Sequence, residues 1–241
     1  VEILIVTFKS KIYPYINTNE YSRNVWLEKV LSKLPAGLKI LDAGAGQLRN
    51  KPFCKHLSYV SQDICQYEGQ GDSLGLQTGT WDTSNIDLVC DITNIPEPDS
   101  SYDVILCSEV FEHLPDPLKA LSEFKRLLKS DGILIVTAPF ASFVHFAPYH
   151  FASGFSKYWY EHHIPDYGFE IQELTSNGDW FGYMKQEMIR LPSMARKYGS
   201  WHWPLSYLFA GLGFIYFSMP CVAKKSDDVA CFGWHCIAKK L

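Results

Sequence analysis

Between about residue 20 and residue 175, short apolar runs that end in polar residues alternate with segments of helical periodicity. That alternation is the signature of a parallel sheet carrying helices on both faces, and it excludes most all-α and all-β architectures. LKILDAG (38–44), HLSYVSQDI (56–64), NIDLVCDI (85–92) and SYDVILCSE (101–109) share one form: an apolar run, then polar residues at its carboxyl end. GILIVTAPF (132–140) is predicted as a fifth, buried strand, GFEIQELT (168–175) as a sixth and VACFGWHCIAK (229–239) as a seventh.

Helical spacing over 21–34 places Val25, Trp26, Val30, Leu31 and Leu34 on one face, and Pro35 and Gly37 end it. A second helix is expected over 115–129, with Leu118, Leu121, Phe124 or Lys125, and Leu128 on its apolar side. Ser130-Asp131-Gly132 is expected to break it, and 156–167 reads as a third helix. We find no repeat and no low-complexity linker. The chain is therefore read as one α/β domain over 1–241: a helical segment over 1–37, a sheet core over 38–176 and 229–241, and a helical insertion over 177–228.

Charge and cysteine content narrow the function classes. The 22 Lys+Arg against 26 Asp+Glu leave a net charge of −4, which argues against a dedicated nucleic-acid binder, since that needs a basic face. The seven cysteines are scattered with no CxxC pair, which fits neither a disulfide framework nor a structural zinc site. Reduced thiols in the cytoplasm are the simpler expectation. The opening VEILIVTFKSK lacks a basic segment ahead of its apolar start and has no small-residue cleavage site, so it is not read as a signal peptide.

One stretch stands apart. Residues 198–223 contain no Asp, Glu, Lys or Arg, and 205–219 is nearly all apolar between Pro204 and Pro220. Fifteen helical residues rise about 22 Å, short of the roughly 30 Å hydrocarbon core, so a membrane span is excluded for this stretch. It reads as a buried helix or a homodimer interface, or else as a peripheral membrane contact through 201–219, with Trp201 and Trp203 at one end and Lys224 and Lys225 at the other.

The sharpest chemical motif is Ile40-Leu41-Asp42-Ala43-Gly44-Ala45-Gly46. A glycine turn at the carboxyl end of a first strand lets the backbone approach a ligand that side chains would hold off. The dinucleotide fingerprint needs a third glycine at position 49, which is Arg49, so a nicotinamide-dependent oxidoreductase is disfavoured.

The order of motifs downstream resembles the class I S-adenosylmethionine-dependent methyltransferases, of the type 11 subfamily, from about Leu38 to Phe140. ILDAGAG resembles their first motif. Asp63 lies 21 positions after Asp42, where the family's acid holds the ribose hydroxyls, with Ile64 beside it. Cys90-Asp91-Ile92 resembles the acid and apolar neighbour next to the adenine. Ser108-Glu109-Val110-Phe111-Glu112-His113-Leu114 and the following ALSEFKRLLKSDGILIVTAPF resemble the stretch after the fourth strand and the helix and strand beyond.

The resemblance implies a doubly wound seven-stranded sheet of order 3-2-1-4-5-7-6 with the last strand antiparallel, and S-adenosyl-L-methionine as cofactor. It implies cofactor contacts from Asp42, Ala43, Gly44, Ala45, Gly46, Asp63, Ile64, Asp91, Ile92, Ser108, Glu109 and Val110. A carboxylate at Asp63 accepts from both ribose hydroxyls, the alternative being a turn acid; Asp91 divides in the same way between an adenine contact and a turn. Asp42 either braces the glycine loop or meets the amino group of the methionine moiety. The family commonly has glycine where this chain has Leu48, so the loop is expected to leave the strand by a different turn.

Methyl transfer asks the protein mainly for in-line placement, and for a base only when the acceptor must lose a proton. His113 is the first candidate base, against a structural role at the next helix. His150 and His145 follow, in a His- and aromatic-rich loop over 141–155 expected to wall the acceptor pocket, with His162 and His163 beyond it. No metal is expected, because no carboxylate or cysteine joins these histidines at ligand spacing. The implied acceptor is a small molecule, a sugar or a lipid-linked compound; a non-catalytic cofactor-binding scaffold is the rival from another class.

Overall fold

A computed structural model describes residues 17–219 and 226–241. The reading of the first eleven residues, and Pro220, Lys224 and Lys225, lie outside the described residues. The chain divides into two compact units, one of residues 26–175 with 233–241 and the other of residues up to 25 with 176–232.

The larger unit is built on the sheet. Strands β1 (Lys39–Ala43), β2 (Ser58–Asp63), β3 (Leu88–Val89), β4 (Tyr102–Ser108), β5 (Leu128–Pro139), β6 (Phe169–Asn177) and β7 (Gly233–Lys240) run in the order 3-2-1-4-5-7-6. Its β1, β2, β3, β4 and β5 pair in parallel and β7 pairs antiparallel with β5, as expected for the doubly wound α/β sheet. The central strands are apolar on both faces, so Ile40, Leu41, Val104, Ile105, Leu106, Leu134, Ile135 and Val136 are wholly buried. The last residues of α1 (Thr18–Leu31) cover one face: Leu27 and Leu31 pack with Ile40, Cys54, Val104, Leu106 and Ile135. Val25, expected on that apolar side, is exposed; Leu27 takes the place.

Helix α2 (Pro117–Leu127) is shorter than its apolar periodicity implied. It starts where the Asp116 carboxylate accepts from the amides of Leu118 and Lys119, with Pro117 in the first turn, where its missing N–H costs nothing. Phe124, not Lys125, faces the core. Leu128 opens β5 opposite Tyr102, and Ser130-Asp131-Gly132 forms an irregularity inside that strand instead of a loop before it. Strand β3 is only two residues long because Asp87 competes with the ladder: its carboxylate accepts from the Ser61 amide (2.9 Å) and hydroxyl (2.6 Å). Helix α3 (Lys157–Asp166) precedes β6.

The smaller unit contains α4 (Trp180–Lys197), capped by Asp179 on the Gly182 amide at 2.8 Å, and α5 (Trp203–Phe217), which pack together. Buried Asn177 bonds to Asn19 and Ser22. Helix α5 carries the uncharged stretch, and the expectation that it is buried is corrected. Only Ser206 and Ala210 are buried, whereas Leu208 is 56% exposed, Ile215 62% and Trp201, just before the helix, 88%. Apolar residues ring the helix on all sides, so packing one face on α4 leaves the rest outward. Among the described residues, no helix is long and apolar enough to cross a membrane.

Candidate active site

Everything that follows lies in the sheet unit, at the carboxyl ends of β1, β2, β4 and β5, where open α/β sheets place their ligands. The chain leaves β1 through a turn tied down by β2. The Gly44 amide donates to the Gln62 carbonyl (2.9 Å) and side-chain oxygen (3.2 Å), and the Ala45 amide to the same carbonyl. Gly44 and Gly46 both adopt positive φ, +77° and +50°. A Cβ on Gly44 would lie 2.4 Å from Val110 and one on Gly46 2.6 Å from the Trp81 ring. Glycine is required here twice over, by backbone conformation and by close approach.

Leu48 follows within the same loop. It adopts φ +58°, the left-handed conformation a glycine would take. A leucine makes this turn, at a cost of order 1–2 kcal/mol. Pro52 follows in a short 3-10 turn, Lys51–Cys54, and Arg49 is exposed above Trp81.

Asp63 uses both carboxylate oxygens on the loop's own backbone, accepting from the Gly46 amide (2.9 Å) and the Cys65 amide (2.8 Å). Asp42 is buried and accepts from the Tyr59 hydroxyl at 2.6 Å and from Asn50 at 3.5 Å. Burial pushes its carboxyl up to about 6, against the lowering effect of those two donors. Asp42 thus links the strand to Asn50, just past the glycine loop. Ala43 and Ala45 are buried with it, while Ile64 is 46% exposed. Asp91 is exposed and accepts from the Thr93 amide and hydroxyl, the Asx-turn arrangement, beside buried Ile92. The Ser108 hydroxyl bonds to that of Thr137, which also donates to Glu109 at 3.0 Å; Glu109 itself sits at φ +56°. Gln62, Tyr59 and Trp81 were not singled out from sequence: no periodicity marks Trp81 in the irregular 64–87 segment.

Trp81, Tyr67 and Phe146 form an aromatic cluster over the glycine turn, with ring centroids 4.3 to 6.0 Å apart. Phe146 reaches it because two loops are stitched together. Asp72 donates to Ala147 (3.1 Å), Leu76 to Val144 (2.9 Å) and Phe146 back to Leu76 (3.2 Å). Phe146 in turn touches His113, at 5.0 Å between rings.

His113, His145 and His150 converge there, with ring centroids 4.7, 4.9 and 6.1 Å apart. His113 donates from Nδ1 to the Tyr149 carbonyl, and His145 from Nδ1 to the Phe143 carbonyl at 2.8 Å. The buried Glu112 carboxylate lies 3.8 Å from Nε2 of His113 and 3.9 Å from Nε2 of His145. Burial, then the neighbouring His145, lowers His113 to about 4, so its ring is neutral at pH 7; His150 is lowered by the same causes. His162 and His163 lie apart from this cluster, on α3 near Asp166.

Comparison with known proteins identifies the family and the fold. The family model described as a methyltransferase domain matches residues 18–207. A ubiquinone biosynthesis O-methyltransferase of Leptothrix cholodnii is 27% identical over 127 residues, 52% of this chain and 53% of the relative. The chain thus spans about half the length of that relative. Among solved structures, geranyl diphosphate C-methyltransferase from Streptomyces coelicolor, crystallised with Mg2+, geranyl diphosphate and S-adenosyl-L-homocysteine, aligns with TM-score 0.54 at 13% identity, covering 92% of this chain and 79% of that one. Phosphoethanolamine N-methyltransferase 2 of Haemonchus contortus, in complex with S-adenosyl-L-methionine, aligns with TM-score 0.51 at 14% identity, covering 90% and 52%. At these identities the structures speak for the fold.

Proposed function

The chain belongs to the methyltransferase-domain family, whose methyl donor is S-adenosyl-L-methionine, and from that premise we propose that it methylates an oxygen of a bulky small-molecule or lipid-linked acceptor. The observation that carries the choice of oxygen is the convergence of His113, His145 and His150 beside the buried Glu112, next to the glycine turn. A hydroxyl acceptor must lose a proton, and this cluster is the device that removes it. Bound here, S-adenosyl-L-methionine would supply its methyl group to the acceptor oxygen and become the neutral thioether S-adenosylhomocysteine. The likeness to ubiquinone biosynthesis O-methyltransferases supports the same choice.

In this reading Gly44 and Gly46 would leave room for the donor's close approach, the Asp63 and Asp91 acids would accept from it, and Ile64 and Ile92 would offer apolar surface to its adenosine part. Ser108, Glu109 and Val110 would complete the donor's binding surface, and Asp42 would brace the loop. Binding requires the ribose hydroxyls to share or replace the backbone donors on Asp63. The aromatic cluster of Trp81, Tyr67 and Phe146 suits a lipophilic acceptor. The exposed apolar residues of α5 support either a peripheral membrane contact or a homodimer through 201–219; flotation with liposomes reads the first and light scattering the second.

The test is calorimetric titration with S-adenosylhomocysteine of the parent chain and of Asp63→Ala. Binding to the parent, weakened at least tenfold in a variant with unchanged circular dichroism, is expected. A folded parent that binds no adenosyl ligand refutes the reading, and binding without turnover on any hydroxyl acceptor favours the scaffold alternative.

A further inference from the structure

We infer that His113, His145 and His150, with Glu112, form a binding site for a divalent transition-metal ion of the zinc class. One ligand atom from each histidine lies within 4.8 Å of the others. A carbonyl oxygen only accepts, so the bonds from His113 Nδ1 to Tyr149 and from His145 Nδ1 to Phe143 place the ring protons on Nδ1. Each Nε2 is thereby left as a lone-pair donor, and backbone orientation of the far ring nitrogen is how ligating histidines are ordinarily held. Those same two Nε2 atoms flank one oxygen of Glu112, at 3.8 and 3.9 Å.

His150 supplies the independent observation. Both of its ring nitrogens are buried and neither has a hydrogen-bond partner in the protein. Buried polar atoms in native proteins are nearly always partnered, so an imidazole with two unmet nitrogens in a cluster of imidazoles points to a ligand between them. Tetrahedral coordination with bonds of about 2.0–2.1 Å needs ligand atoms about 3.4 Å apart, so contraction by up to about 1.4 Å, within reach of side-chain rotation, closes the site. Imidazole donors with one carboxylate suit zinc and its first-row neighbours better than magnesium or calcium, which prefer all-oxygen shells. The sequence expectation of no metal rested on there being no carboxylate among the histidines, and Glu112 supplies one.

The role of the ion rests on the proposed methyl transfer to oxygen; its binding does not. With the ion in place the imidazoles act on the acceptor through it instead of as bases themselves: a hydroxyl bound to the ion loses its proton to solvent, and the resulting alkoxide or phenoxide attacks the methyl group. The ion acts as a Lewis acid, with no change of oxidation state.

The experiment uses the full chain, stripped with a chelator and titrated with Co2+ alone, read by its visible d–d absorption, with Zn2+ as competitor. The variants are His145→Ala, His150→Ala and, at the exposed cluster on α3, His162→Ala. Binding of S-adenosylhomocysteine by each variant reports whether the pocket remains folded. We expect one equivalent of Co2+, displaced by Zn2+, bound at least about 100-fold more weakly by His145→Ala and by His150→Ala and unchanged in His162→Ala. The inference is overturned by a folded chain that gives no Co2+ spectrum, by undiminished affinity in the first two variants, or by loss confined to His162→Ala. Cobalt binding without adenosyl-ligand binding sinks the methyl-transfer reading and leaves the metal site standing.

Discussion

Asp42 is a carboxylate that the folded chain stabilises poorly in its charged form, and replacing it with asparagine makes that cost measurable. Burial raises it from the ordinary 3.8 to about 6, which corresponds to roughly 3 kcal/mol. Between those two pH values the unfolded chain has released a proton that the folded chain still holds. Stability from this group therefore falls as pH rises through the window, and the penalty is complete above about pH 6. Asp42→Asn removes the titration and keeps an oxygen that accepts from Tyr59.

The variant is expected to lie within about 1 kcal/mol of the parent near pH 3.5, the cost of an imperfect hydrogen bond, and to exceed it by roughly 2–3 kcal/mol at pH 8. Urea denaturation across pH 3.5–8 with chelator present reads this as the difference between the two proteins. The difference matters because His113, lowered to about 4, contributes with the opposite sign: below its ordinary 6.5 the unfolded chain binds the extra proton, so that contribution rises with pH. It is common to both proteins and cancels. A stability difference that does not change with pH, or a variant less stable at pH 8, would refute the reasoning.

Two further predictions concern the glycine turn. Gly44→Ala places a methyl 2.4 Å from Val110 at φ +77°, so a loss of roughly 2–4 kcal/mol in thermal or chemical denaturation is expected. Adding Val110→Ala should recover the packing part and not the backbone part. At Leu48 the removed left-handed cost and the added chain entropy of glycine nearly cancel, so Leu48→Gly is expected to change stability by less than about 1 kcal/mol. Leu48→Val, β-branched in the same conformation, is expected to lose more, and equal stability for the two variants would remove the strain argument.

The parts legible in the sequence are those where one residue type has one physical reason to be present. The runs ending at Ala43, Ser108 and Pro139 are strands because buried parallel strands are apolar on both faces, and Gly44 and Gly46 mark a backbone nothing larger can occupy. What stayed hidden depends on side chains that compete with the backbone or meet only in three dimensions. Asp87 shortens β3 by taking the Ser61 amide, which no apolar pattern announces. Leu48 takes a glycine's conformation because the loop around it decides. Glu112 is next to His113 in the chain, yet its nearness to His145 follows only from the path of the 141–155 loop.

The stitching of that loop to the segment around Leu76 makes the two a single mechanical unit. Trp81, over the glycine turn, and His145, in the imidazole cluster, belong to segments joined by the Leu76–Val144 and Phe146–Leu76 bonds and by packing of Trp81 on Phe146. Neither segment swings outward without breaking bonds to the other. Moving either segment away from the glycine turn therefore means moving both, so the aromatic cluster and the imidazole cluster are uncovered together or not at all.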